Sequence, residues 1–469
     1  MQLRIWLVIT LALTTAACNK TAQSVVQDAE KAMGSVTSIQ YAGTGVNGNY
    51  GQALLAGKEW PRRDLTGYTR KINYTQRSNS EEIVFAQPQF GGQRQNPIVS
   101  GDKAWNGADT GPVPQPAAAE GRQLRIWMTP HGFLKAAAQA GNATLTEGSG
   151  GASVVTFTAL GKYQVTGTID GQNMVTEVDT KVADPLLGDT PLTVAYSGYK
   201  DYGGVKFPTK IVESQGGFPI LDLNVTSVQP NAAVDFPVPD AVAKAGVPSV
   251  VVQTTKLADG VWYLTGGTHH SLVVEFPDFI TVIEGPLNEE RSLAVIAEAK
   301  KLVPNKPIRY VVNTHHHFDH SGGLRTFVAE GATVVTHASN KDYYEQAFKA
   351  PATIAPDTQA KSPKTPNIQT VTDKYAITGG KQTIEVYATQ KDTHTDELLV
   401  AYLPGPGILV EADSYSPGPP NTPPPSPAPP NAVSLWENIQ RLKLNVRTIA
   451  PIHGRGAVPF AEFRKFVGK

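Results

Sequence analysis

The chain is poor in thiol: among 469 residues there is one cysteine, Cys18. An internal disulfide is therefore excluded, and no thiolate is left over for a metal site deeper in the chain. It also lacks an excess of either charge. Lys plus Arg and Asp plus Glu number 41 each, and charged residues make up 17%, below the roughly 25% of an average globular protein. No basic stretch stands out, which argues against a nucleic-acid partner, because such a surface needs a positive field. Long apolar runs are missing as well. The most apolar segment, Ile5–Leu13, is too short to span a bilayer as a helix. Mean hydropathy is −0.22 and 40% of residues are hydrophobic, the balance of a soluble globular chain with room for two or three cores.

The first 18 residues read as a signal. Met1–Arg4 carries one positive charge, Ile5–Leu13 is the apolar core, and Thr15-Ala16-Ala17 precedes Cys18. Small residues before a cysteine resemble a bacterial lipoprotein signal, although leucine is more usual where Thr15 stands. The resemblance implies lipidation at Cys18, an anchor in the membrane and a place on the periplasmic side of the cell envelope. Ordinary signal cleavage, with Cys18 incidental, is the alternative. Both imply export.

Residues 19–38 read as a tether and a short helix. Residues 39–229 read as an antiparallel, curved β-sheet domain, with period-two alternation between turns. Tyr163–Ile169 and Met174–Val182 flank Asp170-Gly171 as a hairpin, and Leu192–Lys200 and Val205–Glu213 flank Gly203-Gly204 as another. The run Tyr199–Pro208 resembles the closing hairpin of periplasmic lipoprotein-carrier half-barrels, which implies at most a similar fold. Residues 230–250, with Pro237, Pro239 and Pro248, read as a linker. Residues 251–469 then alternate strands with helices. Asn288 caps a helix to about Leu302 with Leu293, Ile296 and Ala297 on one face, Ile308–Asn313 is a buried strand, and Gly322–Glu330 is a helix. The class is α+β. Nine of the fourteen residues Pro417–Pro430 are proline, which makes that stretch a polyproline-like loop.

The chemistry concentrates in Thr314-His315-His316-His317-Phe318-Asp319-His320-Ser321-Gly322-Gly323, where the strand Ile308–Asn313 ends. Ligand sites of open α/β sheets lie at that edge. A tight loop there can aim His315 and His317 at one point, and Asp319 and His320 at a neighbouring one. Imidazole and carboxylate are donors that suit zinc. Four histidines within six positions are a poor candidate for accident when the chain holds ten.

The pattern His315-X-His317-X-Asp319-His320 resembles the signature of the metallo-β-lactamase superfamily, and three downstream elements follow in that family's order. His394 precedes the strand Leu398–Pro404. Asp413 follows Ile408-Leu409-Val410. His453 closes a strand in Ala450-Pro451-Ile452-His453-Gly454. The resemblance covers roughly residues 252–457 and implies an αββα sandwich with one or, more in keeping with the full set, two zinc ions per chain. It places His315, His317 and His394 on the first metal, Asp319, His320 and His453 on the second, and Asp413 between them. It also makes Asp319 catalytic, holding a metal-activated water and passing its proton to the leaving group. The lactamase subclass that uses cysteine on its second metal is excluded. Where the family has an aspartate behind the metal loops, this chain has Glu284. His269 and His270 border the expected cleft, with His270 a candidate for substrate contact. His316, His337 and His131 read as structural.

These readings imply an exported hydrolase of an ester, lactone, thioester or amide in a small molecule or envelope component. A true β-lactamase is one member of that class. An iron-dependent oxidoreductase of the same fold and a ligand-binding lipoprotein are the alternatives. His317 argues against the paired-iron electron carriers, which place glutamate there.

Overall fold

A computed structural model describes residues 20–88 and 92–469. Cys18 and the signal lie outside the described residues. Among those described, no helix is long and apolar enough to cross a membrane.

The N-terminal part is built on a fourteen-stranded antiparallel sheet. Its first strand, Ser38–Gly48, lies between Arg62–Asn73 and Phe218–Pro230, so the two ends of the domain meet at its centre. The hairpin of Tyr163–Ile169 with Val175–Asp184 forms as the turn residues predict. Gly188–Ser197 pairs with Lys210–Gln215, and the expected Gly203-Gly204 turn closes only the two-residue pair Lys200–Asp201 with Lys206–Phe207. Three helices pack into the core of this sheet: Ala22–Met33, Ala119–Trp127 and Pro130–Gln139. The first is capped by Thr21 and Ser24, and buries Val25, Val26, Ala29 and Met33 along one stripe. The other two were not expected in a β region. Segment 231–243 also departs from a free linker. Ser38 and Asn73 donate to the carbonyls of Ala232 and Val234, and Val242 is buried in the short helix Asp240–Ala243. The exposed stretch is further on, at Val247, Val250 and Val251.

The C-terminal part has two facing sheets with helices outside both. The first sheet has seven strands, from Gln253–Ala258 to Asn367–Val371; the second has six, from Lys374–Gly379 to Val458–Pro459. One core lies between the sheets, where Val274, Ile283 and Val312 meet Val386, Leu403 and Val410. A second lies under the helices Glu289–Leu302, Leu324–Glu330 and Lys341–Lys349, and a third under Pro430–Arg441 and Phe460–Phe466. Central strands such as Ile280–Ile283 are buried at every position, as continuous apolar runs covered on both faces must be. Each fully buried side chain of this kind contributes about 1.5–3 kcal/mol.

The helix from Glu289 begins where Asn288 accepts from the Arg291 amide at 3.0 Å. Its buried stripe runs through Ser292, Val295, Ile296 and Ala299, so of the face expected inside only Ile296 is buried, and Leu293 and Ala297 are exposed instead. In this first sheet, Ile280–Ile283, Ile308–Val312 and Thr333–His337 run parallel, which puts the ends of these strands on one edge. The histidine-rich loop leaves that edge directly after Ile308–Val312.

Candidate metal centre

Four loops converge on one point. They follow the strands Ile308–Val312, Gln382–Ala388, Ile408–Glu411 and Thr448–Pro451, and carry the histidine-rich motif, His394, Asp413 and His453 respectively. The side chains form two groups. His315, His317, His394 and Asp413 make one, and His269, Asp319, His320 and His453 make the other; within each, the donor atoms lie within 4.8 Å of one another. All seven residues expected at the metals are thereby brought together.

Asp413 joins the groups. Its Oδ2 lies 3.2 Å from His315 Nε2, 3.3 Å from His394 Nε2 and 2.8 Å from His320 Nε2, and its Oδ1 lies 3.0 Å from His453 Nε2. It adopts φ +60, a region that aspartate tolerates better than most residues and that marks functional turns. Glu411, which nothing in the sequence pattern singled out, holds that turn. Its Oε2 accepts from the amides of Ser414 and Tyr415 at 3.2 and 3.1 Å. Burial pushes the Glu411 carboxyl up to about 8.

The donor set fits a metal. His317 Nδ1 and His394 Nε2 are 2.9 Å apart, and His320 Nε2 and His453 Nε2 are 3.0 Å apart. Two nitrogens about 2.0–2.1 Å from one tetrahedral zinc stand roughly 3.3 Å apart, so these pairs need only a small opening. His315 Nε2 is buried and has no hydrogen bond of proper geometry, close as it is to Asp413. A buried polar atom left in that condition needs a partner, and a cation supplies one. Burial, then the neighbouring His320 and His317, hold His315 well below the usual imidazole range, and burial brings His317 to about 3. Both are therefore neutral, as ligands must be. Although burial opposes it, Asp413 and Glu284 hold His320 well above the usual range, so a cation binding at its Nε2 would displace that proton. Burial alone would raise Asp319. The hydrogen bond from His269 and the proximity of His320 hold it well below the usual carboxylate range instead.

Glu284 stands behind the motif. Fully buried at φ +75, it lies 3.2 Å from His320 Nδ1 and accepts from Thr314 Oγ1 at 2.5 Å and Asn313 Nδ2 at 3.2 Å. The longer carboxylate thus reaches both the loop and a ligand imidazole.

Of the two histidines bordering the cleft, it is His269 rather than His270 that faces the metal groups. His270, expected toward the substrate, turns its Nδ1 to the Tyr263 hydroxyl at 2.5 Å, and its amide donates to Ile452 O at 2.9 Å. It braces the His453 loop. His269 instead presents Nε2 to Asp319 Oδ2 at 3.1 Å and stacks edge-on to His453, with ring centroids 4.2 Å apart. Arg291 fixes this turn by donating to the carbonyls of Leu264, Thr265 and His269. Adjacent histidines on one turn must diverge, and only the surrounding carbonyls decide which faces inward. His316 is buried against Glu397, His337 bonds Ser339 Oγ at 2.8 Å, and His131 is buried in the N-terminal domain against the Phe207 ring.

Residues 264–451 match the family model described as the metallo-beta-lactamase superfamily. That part of the chain is a metallo-beta-lactamase superfamily domain, and with the antiparallel N-terminal sheet the fold class is α+β. Solved structures similar to it include a metallo-beta-lactamase from Pontibacter korlensis, 20% identical, covering 46% of this chain and 97% of its own, with a TM-score of 0.34. A metallo-beta-lactamase from Hirschia baltica is 18% identical over 46% of this chain and 96% of its own, with a TM-score of 0.35. The rubredoxin oxygen:oxidoreductase of Desulfovibrio gigas is 18% identical over 46% of this chain and 61% of its own, with a TM-score of 0.34. Among curated proteins none matches.

Proposed function

We propose that the chain is an exported, zinc-dependent hydrolase that cleaves an ester, lactone, thioester or amide bond in a small molecule or envelope component. The observation that carries this reading is the pair of histidine–aspartate groups sharing Asp413. His315, His317 and His394 would hold one ion, Asp319, His320 and His453 the other, and His269 would stand as a further donor to the second. Zinc held there would polarise a carbonyl oxygen and lower the pKa of a bound water to about 7.

The side chains do the rest. Asp319 is the most open of the ligand carboxylates, with its side chain 34% exposed. It would face incoming substrate, accept a proton from the nucleophilic water and pass it to the leaving group. His394 and His453 are partly exposed as well. The buried imidazoles of His315 and His320 close the floor against water. No nucleophilic serine or thiol is required, and no covalent intermediate forms on the protein.

Lipidation of Cys18 would hold the enzyme at the membrane on its periplasmic side. Replacing Cys18 with Ser should move the protein from the membrane to the soluble fraction.

The test of activity is a parallel screen of zinc-loaded protein against lactams, lactones, thioesters and phosphodiesters. Turnover of a carbonyl substrate that is lost on chelation and restored by zinc is expected. Inactivity across the panel, with stoichiometric iron in protein purified without added metal, would replace this reading with an oxidoreductase.

A further inference from the structure

The turn between the first two strands of the N-terminal sheet reaches across to the metal loops. Four consecutive residues of it each make a hydrogen bond there. Gly51 O accepts from the Phe318 amide at 3.1 Å. Gln52 Nε2 donates to Asp319 Oδ1 at 2.7 Å. Ala53 O lies 3.0 Å from His317 Nε2. Leu54 O accepts from the Asp396 amide at 3.4 Å, two residues beyond His394.

The turn itself is built to hold this place. Asn49 N donates to Pro61 O at 2.9 Å and closes its base. Tyr50 and Trp60 pack edge-on against Phe318, at 5.1 and 5.7 Å between centroids, and the Tyr50 hydroxyl donates to Asp184 Oδ2 at 2.8 Å. Gly51 has φ +78, and a Cβ there would stand 2.7 Å from the Phe318 ring. Only glycine lets the turn approach the Phe318 side chain so closely.

We propose that the N-terminal domain is a working part of the metal centre, with the turn 49–54 holding His317 and Asp319 in ligand position and Gln52 acting as a positioning residue. The proposal rests on the metal-centre reading above. The Ala53 carbonyl accepts the Nε2 proton of His317, which leaves Nδ1 as the lone-pair nitrogen facing His394. Carbonyl acceptors of this kind fix the tautomer and orientation of a ligating histidine. The Gln52 amide occupies Oδ1 of Asp319, which turns Oδ2 toward His269 and His320. The β domain is thus more than a tether or separate ligand carrier. Removing its contact would weaken the binding of the ions.

The test is zinc titration of metal-stripped, full-length protein against a chromophoric chelator, with the thermal midpoint recorded for each variant. Wild type should bind two equivalents. Fewer than two would overturn the two-metal reading itself, before Gln52 enters. Gln52→Leu should weaken one equivalent by about 10–100-fold and leave the other within two-fold, with the thermal midpoint unchanged. Gly51→Ala, which pushes the whole turn off Phe318, should weaken both. Lys58→Ala, on the exposed end of the same loop, should change neither. Gln52→Ser repeats the measurement should the leucine variant not fold. Wild-type affinity for both ions in Gln52→Leu or Gln52→Ser, together with wild-type affinity in Gly51→Ala, would overturn the proposal.

Discussion

Replacing Glu284 with alanine removes a carboxylate that serves the metal loop without touching the ligand cluster's open side. Four donors face it: Thr314 Oγ1, the Thr314 amide at 3.4 Å, Asn313 Nδ2 and His320 Nδ1. Asn313 keeps its bonds to the His315 and His320 carbonyls, at 2.7 and 3.3 Å. Thr314 can turn its hydroxyl to His315 Nδ1, 3.0 Å away. His320 has no such substitute, and its side chain is completely buried. A buried donor left unpartnered costs about 1–3 kcal/mol, more when charged. Glu284→Ala should therefore destabilise the metal-free C-terminal domain by about 2–4 kcal/mol. With a urea slope near 2 kcal/mol per molar, the midpoint falls by about 1–2 M. Loss of the same support should weaken one zinc equivalent by about 10–100-fold. Glu284→Asp separates charge from reach: aspartate suits positive φ better, yet is one methylene too short, so both effects should be intermediate. Urea denaturation of the stripped protein and zinc titration read the two quantities. An alanine variant with an unchanged midpoint and unchanged affinities would refute the reasoning.

His131 gives the N-terminal domain an acid limit. Burial lowers its pKa to about 4, so the unfolded chain takes up a proton below about 6.5 while the folded one does not. Stability is full above pH 6.5 and should fall by about 1.4 kcal/mol per pH unit down to pH 4, a loss that His131→Gln abolishes in urea titrations across that range. Gly323→Ala sets a Cβ 2.0 Å from Ser292 Oγ and 2.9 Å from Gly285 O. It should cost about 1–3 kcal/mol by crowding and lower the thermal midpoint of the C-terminal domain; an unchanged midpoint would show that Ser292 can give way.

The C-terminal site was legible because its signals are local. His315, His317, Asp319 and His320 share one loop, and His394, Asp413 and His453 each adjoin a short apolar strand that periodicity marks. What escaped depends on partners far along the chain. Gln52 and Asp319 are 267 positions apart, and no pattern around Gln52 points to a metal loop. His269 and His270 are adjacent and chemically identical; the carbonyls gathered by Arg291 choose between them. Helices Ala119–Trp127 and Pro130–Gln139 interrupt a β region because their apolar residues, among them Leu124, Ile126, Phe133 and Leu134, find burial against the sheet, a tertiary gain that local preference does not register. Leu293 shows the converse, an apolar residue left outside because Ser292 and Ile296 set the buried stripe.

Anomalous diffraction from zinc-loaded crystals, recorded above and below the zinc edge, tests the centre most directly. Two peaks are predicted, one about 2.0–2.2 Å from donor atoms of His315, His317 and His394, the other at the same distance from Asp319, His320 and His453, with Asp413 between them. Crystals grown from zinc-loaded protein that show no anomalous peak among these side chains would contradict the account.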